Sequence, residues 1–188
     1  MDAEIVTAYI GLGSNLGDRA GNLLLAVRGL LEASFSVQKL SAIYETEPVG
    51  VEDHGSFLNM AVEIRTSGIT ASQMMARLLR IEYLLGRKDK NLKKPRTVDL
   101  DILMFGDLQM ETEFVTLPHP RMHLRRFVLT PLAEIAPHAL HPVFNKNITQ
   151  LLTEVTDDSL VKRWNPNLGQ TFENDEMKIY FKNLARKI

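Results

Sequence analysis

The chain of 188 residues has no cysteine. Disulfides and thiolate chemistry are therefore excluded, and the absence accords with a reducing compartment. Long apolar runs are missing too. The uninterrupted ones are a few residues, far short of the ~20 needed to span a bilayer. Met1-Asp2-Ala3-Glu4 is acidic and no long apolar stretch follows it, so no secretory signal is expected. Net charge is nearly absent: 22 Lys and Arg against 23 Asp and Glu leave a formal −1. That balance argues against nucleic acid as a partner of the surface as a whole. No internal repeat or low-complexity tract is present. The expectation is a cytoplasmic, single-domain globular protein, 45% apolar and 24% charged, long enough to bury roughly 70% of its unfolded surface.

The pattern along the chain alternates strands and helices unevenly. Ile5–Ile10 reads as a buried strand, and Gly11–Asp18 as a turn-rich loop whose Asp18 caps a helix over Arg19–Glu32. Val37–Tyr44 and Phe57–Thr66 read as strands, with Glu45–Gly55 as a loop between them. Thr70–Leu85 is an amphipathic helix. Gly86–Pro95 is a second long loop, and both loops have the turn residues and low apolar content of active-site lids. Val98–Phe105 is a strand, Phe114–Thr116 a short one, and Arg126–Ile135 and Ile148–Val155 are helices. Asn165-Pro166-Asn167-Leu168-Gly169 breaks the chain before a last amphipathic stretch, Glu176–Ile188. We expect a domain over residues 1–164 and an extension over 165–188, a docked helix that chemistry does not need. The order β-α-β-β-α-β predicts an α+β fold: a ferredoxin-like antiparallel sheet with helices packed on it.

Chemistry concentrates in Arg96-Thr97-Val98-Asp99-Leu100-Asp101-Ile102-Leu103-Met104-Phe105. In a strand rising ~3.3 Å per residue, Asp99 and Asp101 share one face about 7 Å apart, and Val98, Leu100, Ile102 and Met104 fill the other. Two like charges on an otherwise apolar strand repel each other and lose hydration. Hard cations relieve both costs, and Mg²⁺ favours one or two carboxylates completed by substrate phosphates. The plainer reading is a wet face that the aspartates solvate. Next to them, six cations fall in ten residues: Arg87, Lys88, Lys90, Lys93, Lys94 and Arg96. Such a cluster suits a triphosphate; the plain alternatives are a solvated basic loop or a nucleic-acid patch, and no aromatic residue is interleaved for base stacking.

Three further features frame the site. Gly11-x-Gly13-x-x-x-Gly17 matches neither the dinucleotide fingerprint nor the P-loop, and reads as a turn after the first strand. Pro118–Phe127 carries His119 and His123 with Arg121, Arg125 and Arg126. No further ligand completes a zinc site there, so phosphate binding by His119 and Arg125 is the better reading, with His123 structural. Glu82 sits near a helix C-terminus, where the dipole disfavours an anion. A cation such as Arg87 is the expected compensation.

Taken together, these segments resemble one family. Arg96–Leu103 is similar to the signature of 6-hydroxymethyl-7,8-dihydropterin pyrophosphokinase, of the folate pathway. Gly11-Leu12-Gly13-Ser14-Asn15-Leu16-Gly17-Asp18, Tyr44-Glu45-Thr46-Glu47-Pro48-Val49-Gly50, Phe57-Leu58-Asn59 and Pro118-His119-Pro120-Arg121-Met122-His123 occur in that family's order. The resemblance covers about Thr7 to Pro142. It implies a ferredoxin-like fold, ATP as co-substrate and two Mg²⁺ ions on Asp99 and Asp101. It implies catalytic arginines at Arg87 and Arg96, and nucleotide contacts at Lys90, Arg96, Ile102, Thr116, His119 and Arg125. The pterin would lie between Phe57 and Phe127, with Asn59 reading its polar edge and Thr46 and Val49 lining the pocket. The chain departs from some members in lacking a tryptophan in the basic loop, its only one being Trp164, and in having Pro120 where they have tyrosine. A monomer or homodimer that binds neither nucleic acid nor membrane is expected. The competing reading is a non-catalytic ferredoxin-like module that binds a nucleotide to regulate something else, since fold alone does not separate the two.

Overall fold

Alternation of Ala8, Ile10 and Leu12 with Tyr9, Gly11 and Gly13 commits the start of the chain to a strand, β1 (Ile5–Ser14). The computed structural model describes residues 4–46, 55–87 and 95–166. After β1 come α1 (Arg19–Glu32), β2 (Ser36–Leu40), β3 (Tyr44–Thr46), β4 (Phe57–Ser67), α2 (Ala71–Leu84) and β5 (Asp99–Phe105). Asp18 caps α1 by accepting from the Gly21 N–H at 3.0 Å. Thr70 and Gln73 form a reciprocal capping box on α2. A small hairpin, β6 (Met110–Glu111) and β7 (Thr116–Leu117), leads to α3 (Arg126–Ile135), α4 (Ile148–Glu154) and β8 (Val161–Arg163).

The main sheet runs β5-β1-β4-β3-β8, with β2 also on β4, and its pairings are antiparallel. Taking β2 and β3 as one interrupted strand gives the ferredoxin-like order that the sequence predicts. The helices make two outer layers. Leu23, Leu30, Met74 and Leu78 of α1 and α2 pack on Ile10, Val62, Ile64 and Leu100. Leu129, Leu132, Ile148 and Leu151 of α3 and α4 pack on Ala61, Leu103 and Met104. Each such side chain fully removed from water contributes roughly 1.5–3 kcal/mol, so both faces of the sheet carry stabilising cores.

Four details differ from the pattern reading. β1 continues through Gly11 and Gly13 to Ser14, because both glycines have partners on either side, Ala61 and Asn59 on β4 and Asp101 and Asp99 on β5. The predicted strand over 37–44 is two strands, since only Ser36–Leu40 and Tyr44–Thr46 reach β4. In β5 the register shifts: Tyr9 faces Met104 and Ile10 faces Ile102, which leaves Leu103 as an extra residue. This bulge reverses the alternation, so Met104 joins the α3 side and not the side of Leu100 and Ile102. Finally, β8 pairs with β3, and the Trp164 N–H donates to Ile43 O at 2.8 Å. The expected final helix over Glu176–Ile188 lies outside the described residues.

Candidate active site

The face of the sheet toward α3 is covered at the β2 end and open at the other. Across the opening, β1 contributes Gly11, Leu12 and Gly13, and the Leu12 side chain belongs to the core on the other face. Gly13 lies between Asp99 and Asn59 in the ladder, and Gly11 between Asp101 and Ala61. Side chains are missing where two neighbouring strands carry functional groups, so the floor is backbone. A Cβ on Gly13 would sit 3.1 Å from Asn59 Oδ1, and one on Gly11 3.2 Å from Leu103 Cδ2. Above this floor is a cavity of about 570 Å³, lined among others by Thr46, Phe57, Asn59, Arg96, Asp99, Asp101, His119, Arg121, Arg125 and Phe127. Thr46 and Phe127, 81 positions apart in sequence, thus meet in one pocket.

Asp99 is held by two arginines. Arg87 bonds its Oδ1 and also reaches Glu82 Oε1 at 3.0 Å, and Arg96 lies 3.2 Å from its Oδ2. Glu82 is buried and accepts in addition from the Leu100 N–H of β5 at 2.6 Å. Burial works against the charge of Arg87, but Asp99, Glu82 and Asp101 outweigh it and raise its pKa above the ordinary value. Arg87 is therefore a buried tie between α2 and the carboxylate strand, and the compensation expected for Glu82 is present. Arg96 is fixed from behind. Its N–H donates to Asn15 Oδ1 at 2.8 Å and its carbonyl accepts from the Asn15 N–H at 3.2 Å. Its Nε is buried without a partner among the described residues, a donor of the kind an incoming anion satisfies.

On the opposite wall, His119 Nε2 lies 4.0 Å from Asp101 Oδ2. Its Nδ1 accepts from the Arg121 N–H at 3.2 Å, which places the proton of the neutral ring on Nε2, toward Asp101. Burial lowers the His119 pKa and Arg125 and Arg121 reinforce this, with Asp101 pulling the other way. Burial and the neighbouring Arg121 also lower the pKa of Arg125. His119 is shared with a second, shallower cavity of about 450 Å³ that contains Thr116, Pro118, Pro120, His123 and Phe144. His123 stacks on Phe144 at 4.6 Å between centroids, in keeping with a structural role.

The rest of the main cavity combines two aromatic rings with a buried amide. Asn59 is buried and donates from Nδ2 to Thr46 Oγ1 at 2.8 Å. Arg96 lies 5.7 Å from the ring centre of Phe57, and Arg125 5.6 Å from that of Phe127, so each ring is coupled to a cation of the adjoining wall. Both Thr46 and Phe57 are anchored by α1. Arg19 donates to Glu45 Oε1 at 2.9 Å and to Ser56 O and Oγ at 2.8 and 2.6 Å, and Ser56 Oγ donates to Glu45 at 2.7 Å. The bond from Ser56 leads the effects that hold the Glu45 carboxyl below its ordinary pKa, against the opposing effect of burial.

Residues 9–137 match the family described as 7,8-dihydro-6-hydroxymethylpterin-pyrophosphokinase (HPPK). The chain belongs to this family. A 2-amino-4-hydroxy-6-hydroxymethyldihydropteridine pyrophosphokinase from Bacillus subtilis (strain 168) is 53% identical over 129 residues, 68% of this chain and 77% of the relative. One of the same name from Aquifex aeolicus (strain VF5) is 35% identical over 152 residues, 81% of this chain and 94% of the relative. The crystal structure of wild-type Plasmodium falciparum HPPK-DHPS with pteroate superposes with a TM-score of 0.65 at 18% identity. The match covers 81% of this chain and 43% of that longer one, and supports the fold alone.

Against this family's expected site, the structure brings together Arg96, Asp99, Asp101, His119, Arg125, Thr46, Phe57, Asn59 and Phe127 in one cavity. Thr116 falls in the neighbouring one. Arg87 stands behind Asp99 and not in the cavity lining. Ile102 turns its side chain into the core between the sheet and α1–α2, the face opposite the aspartates, so only its backbone is available to a nucleotide. Val49 and Lys90 lie outside the described residues, as do residues 47–54 and 88–94 of the two expected lids. The pattern reading missed the glycine floor, the Asn15 clamp on Arg96, Arg121 and, from far down the chain, Thr156 and Asp157. The second glycine of Gly11-x-Gly13 on the face of Asp99 was the available signal for the floor. Among the described residues no helix is long and apolar enough to cross a membrane.

Proposed function

We propose that the main cavity takes the pterin between Phe57 and Phe127, and that ATP runs from the second cavity across His119 to Asp99 and Asp101. The chain transfers the pyrophosphoryl group of ATP to the hydroxymethyl group of 6-hydroxymethyl-7,8-dihydropterin, a step of folate synthesis. The observation that carries the reading is the glycine floor, with paired carboxylates on one bank and a buried amide on the other. A regulatory nucleotide site needs no second subsite of that kind on the far bank.

The donor set fits Mg²⁺. Asp99 and Asp101 are hard oxygen ligands that line the cavity, and among the described residues no group of three or more His, Cys, Asp or Glu makes an all-protein cage. Such a pair suits ions that obtain their remaining ligands from phosphate and water. We assign two ions to it, which would neutralise the phosphate charge as the α–β bridge opens. Arg96 is bonded to Asp99 now and is placed to turn toward the phosphates, because its backbone stays fixed by Asn15. Arg87 and Glu82 keep the Asp99 carboxylate aimed into the cavity. Arg125 and the Nε2–H of His119 donate to the phosphate chain, and Asn59 with Thr46 fixes the pterin edge. The pterin hydroxyl oxygen then forms a bond to the β-phosphorus and gives up its proton to water, the bond from the β-phosphorus to the bridging oxygen breaks, and AMP leaves with that oxygen.

The test is to incubate the protein with ATP, Mg²⁺ and the pterin and to separate the nucleotides. AMP is expected to form in step with the pterin diphosphate. ADP as the main product, or AMP released equally fast without pterin, would refute the reading.

A further inference from the structure

The segment between α4 and β8 crosses the mouth of the main cavity, and Thr156 and Asp157 line it. It lies beyond residues 9–137, the part of the chain that matches the family model. One end of the segment is bound to α3. The Arg126 N–H donates to Asp157 Oδ2 at 2.8 Å, and Arg126 Nε donates to Asp157 O at 2.7 Å. The other end is bound to β3, where Val161 faces Thr46 in the ladder. The segment therefore spans from the wall of Arg125 and Phe127 to the wall of Thr46.

The bond to Arg126 matters because α3 cannot cap itself. Its N-cap residue is Arg125, whose side chain is a donor and makes no capping bond. The first N–H groups of a helix need acceptors, and a carboxylate there also opposes the positive end of the dipole. Asp157 supplies both from 31 residues away. Its Oδ1 accepts from the Ser159 N–H at 3.0 Å, which fixes the carboxylate in turn. Burial pushes the Asp157 pKa up, yet the bonds from Ser159 and Arg126 outweigh it and hold the group below its ordinary value. The cap thus stays charged well into acid. The two residues on either side of Arg126 are Arg125 and Phe127, both in the cavity lining.

We propose that Asp157 is a positioning residue for substrate binding: by capping α3 from 31 residues further along the chain, it sets Arg125 against the nucleotide and Phe127 against the pterin. This rests on the assignment of those two residues to the substrate site. The experiment measures the affinities of 6-hydroxymethyl-7,8-dihydropterin and of α,β-methylene-ATP by calorimetry, with Mg²⁺, for the full chain and variants. Asp157→Ala should weaken both ligands roughly fivefold to tenfold, the size of a lost helix cap, while turnover at saturation changes less than about twofold. Asp157→Asn, which keeps a capping oxygen, should restore most of the affinity. Ile148→Val, a trim in the core under α3 and α4, lowers the melting temperature without touching the cap and should leave both affinities unchanged. Unchanged affinities in Asp157→Ala would overturn the proposal, as would losses in Ile148→Val that match its own. If Asp157→Ala does not fold, the same reading is taken from Asp157→Gly, which must weaken both ligands relative to Asp157→Asn. Phe127→Ala separates the levels. If it binds pterin normally, the site assignment fails; if it binds weakly while Asp157→Ala does not, only the positioning role fails.

Discussion

Replacing Gly13 with alanine should change stability little and make the protein a much poorer binder of pterin. Gly13 has no positive φ, so alanine fits the strand backbone. A stiffer unfolded chain stabilises by about 0.4–1 kcal/mol and the pressure on Asn59 offsets it, so the melting temperature should move by less than about 4 °C for a domain of this size. The added Cβ meets Asn59 Oδ1 at 3.1 Å and nothing else within 4 Å among the described residues. Asn59 cannot retreat freely, because its Nδ2 is bonded to Thr46 Oγ1 at 2.8 Å. The amide must shift by a few tenths of an ångström away from the edge it reads. A buried amide bond lost or badly bent costs about 1–3 kcal/mol, so pterin affinity should fall roughly fivefold to a hundredfold. The nucleotide side should be spared, since Asp99 is beyond 4 Å of the new methyl. Calorimetry with pterin and with the ATP analogue, beside a thermal melt, reads all three quantities. Pterin affinity equal to that of the parent, or equal losses for both ligands, would show that Gly13 does not floor the pterin subsite.

Three further outcomes follow from the same geometry. Asp99→Ala or Asp101→Ala should leave circular dichroism unchanged but remove nearly all turnover; most of the turnover surviving at saturating Mg²⁺ would refute the metal assignment. Glu82→Ala takes an acid from the buried Arg87 and an acceptor from the Leu100 N–H. At about 3–5 kcal/mol for breaking a buried pair, the melting temperature should drop on the order of 10 °C, and a drop under about 3 °C would contradict the tie. The last concerns pH. Burial lowers the pKa values of His123 and His141 from 6.5, with His123 adding to the effect on His141. The folded state thus takes up protons later than the unfolded one. Stability is complete above pH 6.5 and lost as pH falls from there through the folded values. Melting temperatures between pH 7.5 and 5.5 should decline, less steeply in His141→Asn, and a flat profile would refute this.

The fold was legible because its signals are local. Asp18 and the Thr70-x-x-Gln73 box mark helix starts, and the apolar stripes of α1 and α2 mark their buried faces. The aspartate pair was legible for the same reason, since period-two alternation puts 99 and 101 on one side of any strand. What escaped depends on distant partners. Gly11 and Gly13 look like turn residues until β4 and β5 are seen on either side of them. The bulge at Leu103 appears only in the register against Tyr9 and Ile10, and it is what sends Met104 to the other core. Asp157 is one acid among several until its contact with Arg126, 31 positions earlier, is known.

The ring of Arg19, Glu45 and Ser56 has a consequence for how such a protein can vary. It ties Glu45 to Ser56 and fastens both to the first turn of α1. Thr46 and Phe57 are thus held by groups that flank residues 47–54. That interval can change in length or composition while the two pocket residues keep their places, so the loop and the pocket can be altered separately. Arg19 is the hinge pin of that independence: with it removed, a change at the tip would be felt at the floor.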